Sequence, residues 1–261
     1  MKKGVYMTVQ TILDYLWSLA PVEYKMSWDN VGLLLGRSTA EVRKCLLALD
    51  ATAAVADEAK ALGCELVVTH HPVIFRGDKH VNDLDPLTEP ELRFLENRIA
   101  VISMHTNLDC APGGVNDVLA ALLGLQDVET LPEPGEPPLV RCGTVEEQSL
   151  ASFAAFVKKT LNCPGLRYVD AGRPARKVAL VGGSAIELAE LALAAGCDTF
   201  VTGDVKYHEF LNTAARGMNV IDAGHFETEN PVVHMLLAKL RGRFPEIGFL
   251  LSAHRGAIRF L

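Results

Sequence analysis

Apolar residues recur at helical spacing along 8–19, where Val9, Ile12, Leu13, Leu16 and Trp17 share one face and Pro21 lies beyond the end. A first amphipathic helix is predicted there. The polar turn Trp28-Asp29-Asn30 then leads into the short apolar run Leu33-Leu34-Leu35 between Gly32 and Gly36, a strand. Trp28 is expected to pack in the core, and Asp29 and Asn30 to act as turn caps. From 44 to 69 the pattern reads strand (45–50), helix (52–62), Gly63 as a stop, and strand (65–69), which is a βαβ unit. The stretch 177–202 repeats it without a gap: Lys44 aligns with Lys177, Leu47 with Leu180, Gly63-Cys64 with Gly196-Cys197, and Val68-Thr69 with Val201-Thr202. Such crossovers imply parallel strands buried on both faces.

The remaining periodicity places a helix at 90–97, a strand at 99–104, a helix at 115–123, a strand at 140–145, a helix at 149–161 and a strand at 166–169. Further on come a strand at 219–222, a helix opening at Asn230-Pro231 and running to about 241, and a last strand at 249–252. Ser184 and Glu187 stand at capping-box spacing, although Gly182-Gly183-Ser184 is also readable as a phosphate cradle at a helix start. The stretch 131–139 holds four prolines and no periodicity, so it is the candidate domain linker. The expected fold class is α/β: two related α/β halves with an internal βαβ repeat, and a metal site at strand ends near the domain interface. Residues 1–130 with 219–261 would form the metal-binding domain and 131–218 the second, with the C-terminal segment rejoining the N-terminal half.

Composition narrows the function. A chain of 261 residues that is 49% hydrophobic is globular, and a net charge of −7 argues against nucleic acid as a partner. The N-terminal stretch lacks the pattern of a signal peptide and no apolar run is long enough to span a bilayer, so the expected location is cytoplasmic, without a membrane partner. The six cysteines are scattered singly, which fits buried residues better than a disulfide framework or a thiolate zinc site.

Chemistry concentrates instead in four stretches: Thr69-His70-His71-Pro72, His105-Thr106-Asn107-Leu108-Asp109, Gly203-Asp204-Val205-Lys206-Tyr207-His208 and His225-Phe226-Glu227-Thr228-Glu229. They hold five of the eight histidines, and three of them end an apolar strand-like run. Imidazole with carboxylate is a donor set for zinc, iron, manganese or nickel. His105 and Asp109 are four apart, as are His225 and Glu229, which puts each pair on one face of a helical turn. Together these groups exceed what one catalytic ion needs, whereas two ions about 3.5–4 Å apart would use them.

These stretches, with Trp28-Asp29-Asn30-Val31-Gly32-Leu33 and Asp222-Ala223-Gly224 before His225, resemble in order and spacing the motifs of the dinuclear-metal family known as GTP cyclohydrolase 1 type 2 homologues. The resemblance spans nearly the whole chain. It implies that His70, His71, Asp109, His225 and Glu229 hold two divalent metal ions per subunit, and that the protein forms a toroidal homohexamer whose sites face an internal cavity. Phe226-Glu227 replaces the family's usual Tyr-Ala, bringing a second carboxylate beside the ligands, and the tail Ser252-Ala253-His254-Arg255-Gly256 departs from the family pattern. Glu229 is retained as the ligand because it precedes the helix as the family's glutamate does. The expected activity is that of a dinuclear-metal-dependent hydrolase acting through a metal-bridging hydroxide on a nucleotide or phosphoester. His105 and His208 are the candidate catalytic acid-base groups. Asp204 and Lys206 are the candidate substrate contacts, and Lys206 with His208 would meet a small anionic substrate. The alternative is a non-catalytic metal-binding hexameric scaffold for metal handling or partner binding.

Overall fold

The computed structural model describes residues 7–261; the N-terminal stretch weighed above as a signal peptide lies, but for Met7, outside the described residues. The chain divides into two compact units, 1–111 with 233–257 and 112–232 with 258–261. The boundary thus follows Ala111. The proline-rich 131–139 lies inside the second unit, where it connects two antiparallel strands of one sheet.

In the first unit, helix α1 (Val9–Leu19) starts at Thr8, whose hydroxyl caps the Thr11 amide at 3.3 Å, and its apolar face is buried. Strands β1 (Gly32–Leu35), β2 (Lys44–Ala48), β3 (Leu66–Thr69), β4 (Ala100–Ser103) and β11 (Gly248–Leu251) form a sheet in the order β1-β4-β3-β2-β11. All neighbours are parallel except β1 against β4. Strand β11 carries the C-terminal segment into this sheet, as expected. Helix α2 (Ala53–Leu62), capped by Thr52, is the crossover between β2 and β3, and α3 (Glu89–Glu96) precedes β4. Leu46, Val55, Ala59, Val67, Phe94 and Val101 bury one face of the sheet beneath these helices. Helix α4 (Thr106–Cys110) is a single turn directly after β4, and α10 (Pro231–Arg243) leads to β11.

The second unit holds helices α5 (Val115–Leu122), α6 (Leu150–Thr160), α7 (Ala189–Ala194), α8 (Tyr207–Ala215) and the single turn α9 (His225–Glu229). Its strands are β5 (Gln126–Thr130), β6 (Arg141–Gln148), β7 (Arg167–Val169), β8 (Ala175–Ser184), β9 (Thr199–Gly203) and β10 (Asn219–Asp222), ordered β5-β6-β8-β9-β10-β7. Strands β8, β9 and β10 are parallel and the outer pairings antiparallel. Alternation along β8 sends Val178 and Leu180 into one core and Ala179 and Val181 into another, on opposite faces of the sheet. Strand β5 has no apolar periodicity because it is exposed throughout, which is why the pattern of the chain does not reveal it.

The two βαβ segments share more than element order. Leu47 pairs with Val68 and Leu180 with Val201. The Lys44 ammonium donates to the Leu62 carbonyl at 3.0 Å and that of Lys177 to Ala195 at 2.8 Å. Glu65 accepts from the amides of Arg43 and Lys44, and Asp198 from those of Arg176 and Lys177. The Gly-Cys-acidic turn thus ties the start of one strand to the start of the next in each unit. All six cysteines are buried and none is in a disulfide. Among the described residues no helix is long and apolar enough to cross a membrane.

Candidate metal centre

In the first unit the candidate site lies at the C-terminal ends of β2, β3 and β4, where an α/β sheet gathers its functional groups. Strand β3 stops at Thr69 because Pro72 cannot continue the ladder, and the amides of both His70 and His71 bond to the Leu49 carbonyl. The chain therefore leaves strand geometry at this point, and both imidazoles reach one region, 5.1 Å apart between ring centroids. His105, after β4, joins them at 5.3 Å from His70 and 5.7 Å from His71. Each of the three offers a ring nitrogen within 4.8 Å of the others, a group that could hold a metal ion. Asp109, one turn along α4, is buried with an oxygen 3.5 Å from His70 Nε2.

In each of these rings Nδ1 meets an oxygen. His70 Nδ1 donates to the Met104 carbonyl at 2.7 Å, His71 Nδ1 faces Asp50 at 2.7 Å, and His105 Nδ1 faces Asp29 at 2.8 Å. Such bonds hold Nδ1–H and leave Nε2 as the nitrogen that a metal ion would take, the arrangement of metal-binding histidines. Burial by itself would raise the Asp29 carboxyl; its bond and charge pairing with His105, with bonds from the Thr106 hydroxyl and amide, instead hold it down at about 2. Asp29 is thus a permanent anion behind His105 and not merely a turn cap. Asp50 closes the run Cys45-Leu46-Leu47-Ala48-Leu49 much as His70 closes β3; an acid at the end of a neighbouring parallel strand is the signal that identifies it. The tail also approaches this group, with His254 Nε2 3.9 Å from Asp50 and Ser252 donating to Glu58 of α2.

The second unit places His225 and Glu229 on α9, with His225 Nε2 3.1 Å from Glu229 Oε2. His225 Nδ1 bonds Asp204 at 2.7 Å. Asp204, an expected substrate contact, therefore faces an imidazole, and it does so with φ +55°, a left-handed conformation that an aspartate adopts more readily than most residues. Three contacts of one further carboxylate fix this corner. Asp222 accepts from the Val205 and Gly224 amides and from Arg167, so the loop after β9 and the entry to α9 hang on one buried acid. Lys206 and His208 are exposed at the start of α8, where the Lys206 amide is capped by Glu209.

Gly182-Gly183-Ser184 provides neither a helix cap at Ser184 nor a phosphate cradle. Ser184 ends β8 and the helical turn that follows lacks a side-chain cap. The Gly182 amide is taken by Asn116 and that of Gly183 by Thr228, which leaves neither for an anion. Gly183, at φ +69°, has another purpose: a Cβ there would collide with the Glu229 carboxylate and crowd His225 Nε2. The glycine keeps open the space that Glu229 fills. Glu227 points away from it, toward Gly224, and burial raises its pKa, with Asp222 adding to the effect. Of the two glutamates, Glu229 is the one beside His225.

Mixed α/β units whose strand ends carry imidazole and carboxylate clusters able to hold metal define the class of protein. The chain belongs to the Duf34/NIF3 (NGG1p interacting factor 3) family, which it matches over residues 7–255. It is 33% identical over 252 residues to the GTP cyclohydrolase 1 type 2 homolog of Clostridium perfringens, spanning 94% of this chain and 96% of that one. The Streptomyces coelicolor protein of the same name is 34% identical, over 94% of this chain and 89% of its own. Among solved structures, the Staphylococcus aureus hypothetical protein SA1388 matches with a TM-score of 0.89 and 28% identity, over 98% of this chain and 100% of that one.

Proposed function

We propose that this protein is a metal-dependent hydrolase in which His70, His71, Asp109, His225 and Glu229 bind two divalent ions per subunit, acting on a nucleotide or another phosphoester. The observation that carries the reading is the state of the three histidine ligands: each has Nδ1 engaged by a carboxylate or carbonyl oxygen, which leaves Nε2 to bind metal. Neutral imidazole with carboxylate and no thiolate suits zinc, iron, manganese or nickel. Bound ions would lower the pKa of water toward ~7 and polarise a carbonyl, imine or phosphoryl oxygen.

The remaining roles fall to the chain itself. His105, backed by the Asp29 anion, holds a proton at Nδ1 and is able to accept or return one at Nε2, the behaviour of an acid-base group. Asp204 orients His225. Lys206, whose ammonium lies 3.9 Å from Glu209, and His208 are both exposed and would meet an anionic substrate, with His208 as a second proton donor. Assembly as a toroidal homohexamer in the cytoplasm belongs to the same reading. The recurrence of the Lys44–Leu62 and Lys177–Ala195 bonds supports treating the two βαβ segments as related.

Metal content per subunit and turnover of GTP and generic phosphoesters, measured together on the wild type and on Asp109→Ala, test the proposal. Two ions in the wild type, loss of at least one in the variant and loss of turnover with it are expected. Two ions without turnover of any substrate would favour a metal-binding scaffold, and a metal-free protein under replete conditions would overturn the site.

A further inference from the structure

Trp28 does not pack in the core. Its side chain is 59% exposed and that of Phe75 45% exposed, although both stand on backbone that is firmly held. Met26 donates to the Thr106 hydroxyl at 2.9 Å, Asp29 is buried against His105 and Thr106, and the Asn30 amide group donates to the Ile74 carbonyl at 2.7 Å. The last bond ties the loop bearing Trp28 to the loop bearing Phe75, whose Val73 and Ile74 are packed against the core. The two rings touch at 5.8 Å between centroids, and both meet His105, at 6.2 and 6.1 Å. The interplanar angles lie between 64° and 81°, so the three rings contact one another edge to face.

An apolar surface fixed in place yet left in water, and continuous with the histidine group, is suited to a ligand whose reactive end lies among the histidines. Contact distances among the three rings leave no gap between them for a cation, as an ammonium cage would require. What they offer is flat outer ring surface. We infer that Trp28 and Phe75 form a stacking subsite for a planar heteroaromatic ring of the substrate, with His105 at its inner edge. This rests on the hydrolase reading and narrows its substrates to molecules carrying such a ring, as nucleotides do; a simple phosphoester would leave the subsite unused.

The test is calorimetric titration of the metal-replete protein with guanosine 5′-monophosphate, with pterin as a ring without phosphate, and with ribose 5-phosphate as phosphate without a ring. Stacking on one aromatic side chain is worth about tenfold in Kd. Guanosine 5′-monophosphate is expected to bind about tenfold more tightly than ribose 5-phosphate. Trp28→Ala should erase that difference while leaving ribose 5-phosphate binding, metal content and oligomeric mass unchanged, and Trp28→Phe should retain most of it. Pterin should quench Trp28 fluorescence, since the other tryptophan, Trp17, lies on α1 with its ring nitrogen buried. Equal affinities in wild type and Trp28→Ala, failure of both ring probes to bind, or a change of oligomeric mass in Trp28→Ala would overturn the subsite, the last by assigning the surface to contacts between copies. Ring binding lost in Trp28→Ala without turnover of any nucleotide would sink the hydrolase reading and leave the subsite standing, whereas nucleotide turnover with an unaltered KM in Trp28→Ala would do the reverse.

Discussion

The two βαβ segments are alike at the start of their strands and unlike at the end. At the start, Lys44 and Lys177 reach the last carbonyls of the crossover that follows, and Glu65 and Asp198 gather corresponding pairs of amides. At the end, Asp50 in the first unit stands where the second has Gly183, and His71 stands where the second has Asp204. The first unit supplies carboxylate and imidazole from adjacent strand ends. The second moves each group by one position: its carboxylate comes from the strand end that bears the imidazole in the first, and its imidazole from α9. Gly183, in the place of Asp50, yields its space to Glu229. One frame therefore supports two different ways of presenting an oriented imidazole, and what decides between them is whether a following turn brings its own histidine.

This comparison breaks most sharply at Gly183. Gly183→Ala places a methyl group against Glu229 in a left-handed backbone, a strain of roughly 1–3 kcal/mol. It should abolish metal retention at His225 and Glu229 while leaving the first unit folded. Metal content and thermal unfolding measure both effects, and wild-type metal content in this variant would refute the role given to the glycine.

Smaller effects are expected from removing the orienting carboxylates. Asp50→Ala and Asp204→Ala should each weaken metal affinity by about 10–100-fold, because the imidazoles remain but lose their fixed direction. Competition with a chelator reads the loss. If one variant behaves as wild type, the two arrangements are not equivalent. At the strand starts the consequences are for stability alone. Asp198, nearly buried and accepting also from the Thr199 hydroxyl, should cost about 2–3 kcal/mol when changed to Ala, and the more accessible Glu65 about 1 kcal/mol. Urea unfolding would rank them, and metal content should be unaltered in both.

The strand starts and the crossovers were legible in the chain because burial on both faces imposes continuous apolar runs, and Gly-Cys-acidic turns punctuate them. His70, His71, His105, Asp109, His225 and Glu229 were legible as donor types grouped at strand ends. Their partners were harder to read. Asp29 resembles a turn cap until β4 brings His105 beside it, and Asp50 belongs to a strand whose neighbour is set only by the sheet order. Gly182-Gly183 reads as a cap or a cradle because the residue that needs the space, Glu229, lies far along the chain. Trp28 is exposed against expectation for a related reason: apolar character predicts burial only when no other demand on the side chain exists, and that demand is visible only in three dimensions. The boundary between units escaped the proline-rich signal because 131–139 is a turn between β5 and β6, where prolines limit disorder without separating domains.

The acidic latches on Lys44 and Lys177 carry a consequence for how such proteins diversify. They close each crossover at the strand starts, the end of the sheet remote from the histidines, so the positions that hold the strands together and the positions that carry chemistry are different residues. Substitutions can accumulate at 50 and 71 without loosening the frame, and an ancestral chain with one set of donors can acquire another by steps that each still fold. Drift in reaction and constancy of scaffold then become compatible within a single lineage.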